Sequence, residues 1–174
     1  MKNKNNITLV VACNDHFAIM LGALIKSIIH NHVSSEEIDL YIVDDGISVK
    51  SKNRIIECAG NHINLIWLKI NDIFENVKLP VDNSTFPRNV YMRLFIPTFL
   101  PLEVKKAIYL DVDMINCVDI SNLWNVSLDG HPIAGVRDRS AVISNDWGGI
   151  GNYKELNLNP ETPYYNAGLI VYNN

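Results

Sequence analysis

The chain has 174 residues, 48% of them apolar and 20% charged, with a formal net charge of −4. That balance gives one domain with enough apolar material for a sizeable core, and it excludes an intrinsically disordered chain. The acidic balance, with Lys and Arg scattered rather than clustered, argues against a nucleic-acid-binding surface.

Met1-Lys2-Asn3-Lys4 followed by Ile7 to Cys13 mimics a signal peptide, but the apolar part is short and runs into Asn14-Asp15-His16 without a small-residue cleavage site. It reads better as a first strand. Ile7 to Ala12 is β-branched and apolar, and Asp15 stands where the next helix needs an N-cap. Phe17, Met20, Leu21, Leu24, Ile25, Ile28 and Ile29 then recur at helical spacing and end near His30-Asn31-His32. A second strand, Ile38 to Val43, stops at the turn Asp44-Asp45-Gly46, and a second helix runs from a Ser48 cap to a Gly60 stop. Ile63 to Leu68 is a third strand. Repeated β-α units predict an α/β fold with a doubly wound, mostly parallel sheet, whose ligand cleft lies at the carboxyl ends of the strands.

From Asn71 the pattern loosens. Ser84 to Thr98 reads as helical from Asn89, with Tyr91, Leu94, Phe95 and Thr98 on one face and Pro97 and Pro101 ending it. Ile120 to Trp124 has room for a helical turn, Pro132 to Val136 reads as an apolar strand ending at Arg137-Asp138, and Tyr164 to Tyr172 as a last strand. Trp147-Gly148-Gly149-Ile150-Gly151 lacks the Lys-Ser/Thr of a phosphate-binding loop and comes after no strand, so it is taken as a loop. No apolar run approaches the roughly 20 residues that a membrane span needs. Cys13, Cys58 and Cys117 form no C-x-x-C pair and fit reduced thiols, hence a cytoplasmic location.

The chemistry concentrates at Ile108-Tyr109-Leu110-Asp111-Val112-Asp113. The apolar residues read as a short strand buried on both faces, which delivers the next residues of the chain to the carboxyl edge of the sheet. In extended backbone, residues i and i+2 share a side, so Asp111 and Asp113 converge while Val112 turns into the core. Two such carboxylates repel unless a cation sits between them, and a hard divalent ion, Mg²⁺ or Mn²⁺, further ligated by a diphosphate, suits them. The other reading is a solvated acidic turn.

Val10 to Phe17, Tyr91-Met92-Arg93-Leu94, Tyr109 to Asp113, Asp119-Ile120-Ser121-Asn122-Leu123-Trp124 and Tyr165-Asn166-Ala167-Gly168 occur in the order and rough spacing of family 8 glycosyltransferases. The chain resembles that family from Ile7 to Asn174. The resemblance implies a GT-A fold, a nucleotide-sugar donor such as UDP-galactose or UDP-glucose, Mn²⁺ (or Mg²⁺), and transfer to a glycan or other hydroxyl acceptor with retention of configuration. By the same resemblance, Asp111 and Asp113 ligate the metal, with Val112 between them in the motif. Ala12, Cys13, Asn14 and Asp15 lie at the base-binding segment, and Phe17 lies against the uracil, its other reading being the start of the helix's core stripe. Arg93 matches an arginine near donor phosphate and sugar, or is a solvated helix residue. Asp138 and Asn166 match positions that hold the sugar hydroxyls, with Ala167 beside them, their other readings being a turn acid and a strand-entry amide.

There are departures. Asn14 and His16 stand where some bacterial galactosyltransferases carry Asp and Asn, which leaves the donor sugar open. None of His16, His30, His32, His62 and His131 matches the family's histidine ligand. The resemblance places that ligand and the acceptor site beyond Asn174. The expectation is therefore a donor-binding domain over 1–174, cut short at its C-terminal end and inactive in transfer by itself, with any peripheral membrane association residing in the further C-terminal part. Two rivals stand beside it. One is a nucleotide-sugar-binding module without catalysis. The other is a phosphatase of the haloacid-dehalogenase type, disfavoured because several strands precede its Asp-x-Asp and Ile115 stands where that class has Thr or Val.

Overall fold

The computed structural model describes residues 6–73 and 88–174. Strand β1 (Ile7–Cys13) leads through a 3₁₀ turn at Asp15–Phe17 into helix α1 (Ala18–Asn31), followed by β2 (Ile38–Asp44), α2 (Val49–Ala59), β3 (Ile63–Lys69) and a short α3 (Ile70–Ile73). After a 3₁₀ helix at Arg88–Phe95 come α4 (Ile96–Phe99), β4 (Lys106–Leu110), α5 (Ser121–Trp124), β5 (Ile133–Val142) and β6 (Pro163–Asn173). Ser84, which opens the segment read as helical from Asn89, and the segment Met1 to Lys4 lie outside the described residues. No helix among the described residues is long and apolar enough to cross a membrane.

The sheet order is β3-β2-β1-β4-β6-β5. β1 pairs in parallel with β2 and β4, and β2 with β3, as the repeated β-α units predict. The last two pairings are antiparallel: β6 lies between β4 and β5 and runs against both. Alternation along the central strands explains why these residues must be apolar throughout. Leu9 and Val11 of β1 and Ile108 and Leu110 of β4 face one core with Leu21, Leu24, Ile25 and Ile28 of α1 and Ile55 of α2. Val10, Ala107 and Tyr109 face the other, against Ile96, Leu100 and Tyr172. Each such aliphatic side chain contributes about 1.5 to 3 kcal/mol by leaving water.

Several expectations hold in detail. The Ser48 hydroxyl accepts from Ser51 N at 3.2 Å to cap α2, and Gly60, at φ +54°, closes it. Others are corrected. Asn14 caps the 3₁₀ turn that leads into α1, its Oδ1 accepting from Phe17 N at 3.3 Å, and α1 itself starts after Phe17 without a side-chain cap. Asp15 instead accepts from Ser48 N at 2.9 Å and so ties this turn to α2. The helix predicted from Asn89 is a 3₁₀ helix through Phe95, and it buries Asn89 and Met92 while Leu94 is 69% exposed. With three residues per turn the buried row advances by three positions, so a face drawn on a 3.6-residue wheel drifts off it. Pro97 lies in the first turn of α4 rather than at its end, where a missing N–H leaves nothing unsatisfied. β5 runs on past Arg137-Asp138 to Val142 through register shifts. It is an edge strand that leaves Ile133 and Val136 half exposed.

The α1 stripe separates into residues that matter and one that does not. Ile25 is fully buried, whereas Met20, inside the predicted stripe, is 42% exposed. Ile25→Ala is expected to cost about 2 to 5 kcal/mol in urea denaturation. Met20→Ala is expected to stay near the ~0.5 kcal/mol of a surface change.

Candidate active site

Because β1 and β4 are parallel neighbours, with Leu9 opposite Ile108 and Val10 opposite Tyr109, both release their next residues at one edge of the sheet. The 3₁₀ helix at Arg88–Phe95 borders that edge. Between them lies a cleft of about 280 Å³ lined by Ala12, Phe17, Asn89, Val90, Arg93, Tyr109, Asp111, Val112 and Asp113. Strand β4 ends at Leu110, and of the two acids Asp111 follows it directly while Asp113 sits on a turn, yet both residues line the cleft. Val112 is buried in the core below, as predicted.

Asp111 is held from three directions. Its amide donates to the Gly168 carbonyl at 2.7 Å, which continues the β4–β6 ladder beyond the strand. Its Oδ1 accepts from the Tyr109 hydroxyl at 2.7 Å and from Arg93 Nη2 at 3.0 Å. Arg93 is itself fixed, by Nε to the Val90 carbonyl at 2.9 Å, by Nη1 to the Ala167 carbonyl, and by stacking 4.8 Å over the Tyr109 ring. Burial, reinforced by the Asp111 charge, raises the Tyr109 phenol well above its ordinary value. Tyr172, pushed up to about 12 by burial, donates to the Arg93 carbonyl at 2.6 Å. Both phenols therefore stay protonated donors across the physiological range.

From Gly168 the network continues outward. Asn166 Oδ1 accepts from Gly168 N at 2.8 Å, and Asn166 Nδ2 donates to Asp138 Oδ2 at 3.3 Å. The Ser140 amide, at 2.9 Å from Asp138 Oδ1, and then Asn166 hold the Asp138 carboxyl below its ordinary value. The structure thus brings together Arg93, Asp111, Asp138, Asn166 and Ala167 in one chain of contacts, beside a cleft that also takes in Ala12, Phe17 and Asp113.

It turns three other candidates' side chains away. Cys13 packs in the α1 core and donates its thiol hydrogen to the Asn14 carbonyl at 3.2 Å, and burial first, then Asp44 and Asp15, push it up to about 12. Asn14 is occupied by its cap. Asp15 faces α2, where the Ser51 side chain and the Ser48 amide hold its carboxyl below its ordinary value. With His16 it borders a larger groove of about 740 Å³ between α1 and α2, so the turn at Asp15–Phe17 divides that groove from the cleft. Any contact from Cys13 and Asn14 to a ligand in the cleft falls to their backbone.

Sequence reasoning missed the parts played by Tyr109, Asn89, Gly168 and Tyr172. Tyr109 was findable, since it stands two residues before Asp111 on the same side of the strand. Nothing in the sequence paired Gly168 with Asp111. As to a metal, the donor set is two carboxylates, hard oxygen ligands of the kind Mg²⁺ and Mn²⁺ take, and Asp113 is exposed to the cleft. These residues fit such an ion as a partial ligand set that leaves positions for water and phosphate. No group of three or more His, Cys, Asp or Glu gathers as a metal site among the described residues. At Gly168 an added Cβ would come 2.7 Å from Asp111 Oδ2 and 3.0 Å from Asn166 Oδ1. With Asp111 anchored by its own amide, Tyr109 and Arg93, Gly168→Ala is expected to cost about 1 to 3 kcal/mol, as overpacking does. A crystal structure of the variant should show the Asp111 carboxylate displaced.

Comparison with known proteins agrees with this geometry. Residues 8–174 match the model of glycosyl transferase family 8. General stress protein A of Bacillus subtilis (strain 168) is 29% identical over 173 residues, covering 97% of this chain and 56% of that protein. A putative glycosyltransferase of Haemophilus influenzae is 27% identical over 175 residues, covering 94% and 48%. The chain therefore spans about half the length of these relatives. Among solved structures, the WbbM bifunctional glycosyltransferase superposes with a TM-score of 0.77 at 27% identity, covering 97% of this chain and 31% of that one. The galactosyltransferase LgtC, solved in complex with donor and acceptor sugar analogues, gives 0.72 at 22% identity, covering 96% and 58%. The sheet, with its parallel half and its inserted antiparallel strand, has the GT-A fold of these neighbours. The family match sets aside the phosphatase reading, and the chain belongs to glycosyl transferase family 8.

Proposed function

We propose that this chain binds the nucleotide-sugar donor, UDP-galactose or UDP-glucose, for a retaining hexosyl transfer to a hydroxyl of a glycan or other acceptor. The observation that carries the reading is the single cleft shared by Phe17, Arg93, Asp111 and Asp113, joined through Gly168 to Asn166 and Asp138. Asp111 and Asp113 would hold Mn²⁺ or Mg²⁺. Bound there, such an ion neutralises charge on a departing nucleoside diphosphate.

The remaining roles belong to the chain itself. Phe17 offers an apolar ring to the base, and the backbone from Ala12 to Asn14 offers amides and carbonyls for its edges. Arg93, already fixed by Val90 and Ala167, supplies a preorganised positive charge beside the diphosphate without reordering a long side chain. Asn166 and Asp138 offer one amide and one carboxylate to the sugar hydroxyls, with the carboxylate kept ionised by Ser140. Location in the cytoplasm belongs to the same reading.

Ligand binding to the native state raises the melting temperature by mass action. UDP is expected to raise it only with Mn²⁺ or Mg²⁺ present, and Asp113→Asn is expected to keep the fold yet abolish that rise. Equal stabilisation by UDP in excess EDTA, or unchanged UDP affinity in the variant, would reduce the acid pair to a turn.

Phe17 lines the cleft and also packs against the α1 core, so both of its readings have a physical basis. Stacking on the base predicts that Phe17→Ala weakens UDP binding by about 1 to 3 kcal/mol. A core role predicts instead a loss of about 3 to 5 kcal/mol in folding stability with affinity little changed. Calorimetric titration and urea denaturation on the one variant distinguish them.

A further inference from the structure

The chain leaves Asp113 as irregular backbone from Met114 to Val118 before it enters α5, and this return path runs along the end of α1. It is gripped there. The Asn116 amide donates to Ser27 Oγ at 2.9 Å, and Asn31 Nδ2 donates to the Asn116 carbonyl at 2.8 Å. Three residues on, the Asp119 carboxylate takes in a whole set of donors. Oδ2 accepts from the amides of Val33 and Ser34, each at 2.8 Å. Oδ1 accepts from Ser121 N at 2.9 Å, from Ser34 Oγ at 3.2 Å and from His32 Nδ1 at 3.0 Å. The other ring nitrogen of His32 contacts the Glu36 carbonyl at 2.8 Å. Nδ1 also lies 3.3 Å from Ser34 Oγ, so the ring is held on both sides.

The side chains of His32 and Asp119 are 13% and 11% exposed. Burial works against the Asp119 charge, yet the bonds from Ser121, Val33 and His32 hold its carboxyl far below the usual carboxylate range. The carboxylate also lies at the C-terminal end of α1, where the helix dipole disfavours a negative charge. A paired buried charge is an inefficient source of stability, because desolvation offsets most of the attraction, but it fixes register well, since few other placements satisfy it. What is fixed here is the strand-to-helix connection that begins at the second acid. Met114, next after Asp113, reaches Gly168, whose added Cβ would meet Met114 Cε at 3.0 Å. The connection is therefore pinned at both ends: by the sheet edge on one side and by α1 on the other.

We propose that Asp119, paired with His32, is a positioning residue that sets the path of the chain after Asp113 and thereby holds the Asp113 carboxylate beside Asp111 for the cation of the donor complex. The second half of this statement rests on the donor-binding reading above, and the first half does not. The test measures the two separately on Asp119→Asn, with His32→Gln as a milder variant. The first measurement is amide hydrogen exchange. The Asn116 amide, which Asp119 does not touch, is expected to exchange at least ten-fold faster, while amides in β1 and β2 keep their wild-type rates. The second is calorimetric titration with UDP and Mn²⁺, where affinity is expected to fall about ten-fold in a chain that remains folded.

An unchanged Asn116 rate, or a uniform acceleration across the sheet, overturns the clamp. A faster Asn116 with unaltered Mn²⁺-dependent affinity overturns its link to Asp113. If the wild-type chain binds no UDP with Mn²⁺, the donor reading fails, and the exchange pattern alone decides whether Asp119 orders this connection. Failure of both variants to fold overturns the proposal as well, because it would make the cluster a determinant of the whole fold rather than of one turn.

Discussion

The hydrogen bond from the Asp111 amide to the Gly168 carbonyl, at 2.7 Å, extends the β4–β6 ladder one residue beyond the end of β4, and the arrangement of the cleft depends on it. It brings the loop after β4 against the middle of β6, so Asn166, Ala167 and Gly168 stand beside Asp111 rather than at the far end of a separate strand. The contact requires glycine, because a side chain at 168 would occupy the space of the Asp111 carboxylate. Once Asp111 is there, Tyr109 from below and Arg93 from the 3₁₀ helix converge on one of its oxygens. The position of Arg93 in turn depends on β6, through the Ala167 carbonyl and the Tyr172 hydroxyl. A short buried strand, β4, thus acts through its neighbours on both sides: β1 sets which edge of the sheet carries the site, and β6 sets what stands opposite Asp111.

This dependence on neighbours explains which parts of the molecule were legible in the sequence. Local signals with a mechanism of their own carried over unchanged: the burial of β1 and β4 on both faces, the Ser48 and Gly60 boundaries of α2, and an acid pair directly after a buried strand. What failed depended on partners that a sequence does not name. The direction of β6 could not be read, since its apolar run from Leu169 to Tyr172 looks the same in a parallel or an antiparallel strand. Pro132 to Val136 was legible as an apolar strand, but its place at the edge was not: β5 has a neighbour on one side alone, and Ile133 and Val136 stay half exposed. Asp15 had the chemistry of a cap, and lost that role because a 3₁₀ turn moved the first free amides toward Asn14. The 3₁₀ helix at Arg88–Phe95 carried the wrong face forward for the same reason, a period of three read as 3.6.

The candidate site divides along a similar line. Arg93, Asp111, Asp138 and Asn166 were picked out by residue type within motifs, and the contacts among them are contacts of those side chains. Ala12, Cys13 and Asn14 were picked out by segment, and there Ala12 lines the cleft while the side chains of Cys13 and Asn14 point elsewhere, into the core and a cap. A motif specifies position along the chain more surely than it specifies which atoms face a ligand. When the expected contact is a backbone amide or carbonyl, as at Cys13, the side chain is free to be chosen by packing, and a thiol pushed up to about 12 by burial is a side chain so chosen.

Charge at the sheet edge gives the acid pair its chemical sense. Two adjacent carboxylates in a partly buried cleft are unfavourable alone. The chain offsets one of them with a guanidinium that cannot deprotonate and that is tied to two carbonyls besides. Among the described residues Asp111 alone is so engaged, and through one oxygen, which leaves its other oxygen and the exposed Asp113 carrying the remaining negative charge. An edge with two carboxylates and one guanidinium has a formal charge of minus one, which repels a diphosphate. Under the proposed function a divalent cation reverses that sign and creates an edge that attracts one, so neither metal nor nucleotide has reason to bind strongly without the other. The requirement is strict only if Asp113 keeps its place, since a carboxylate that swings away takes its charge with it. Under that reading, the binding of metal and nucleotide depends on the connection that runs from Asp113 to the donors gathered around Asp119 at the end of α1.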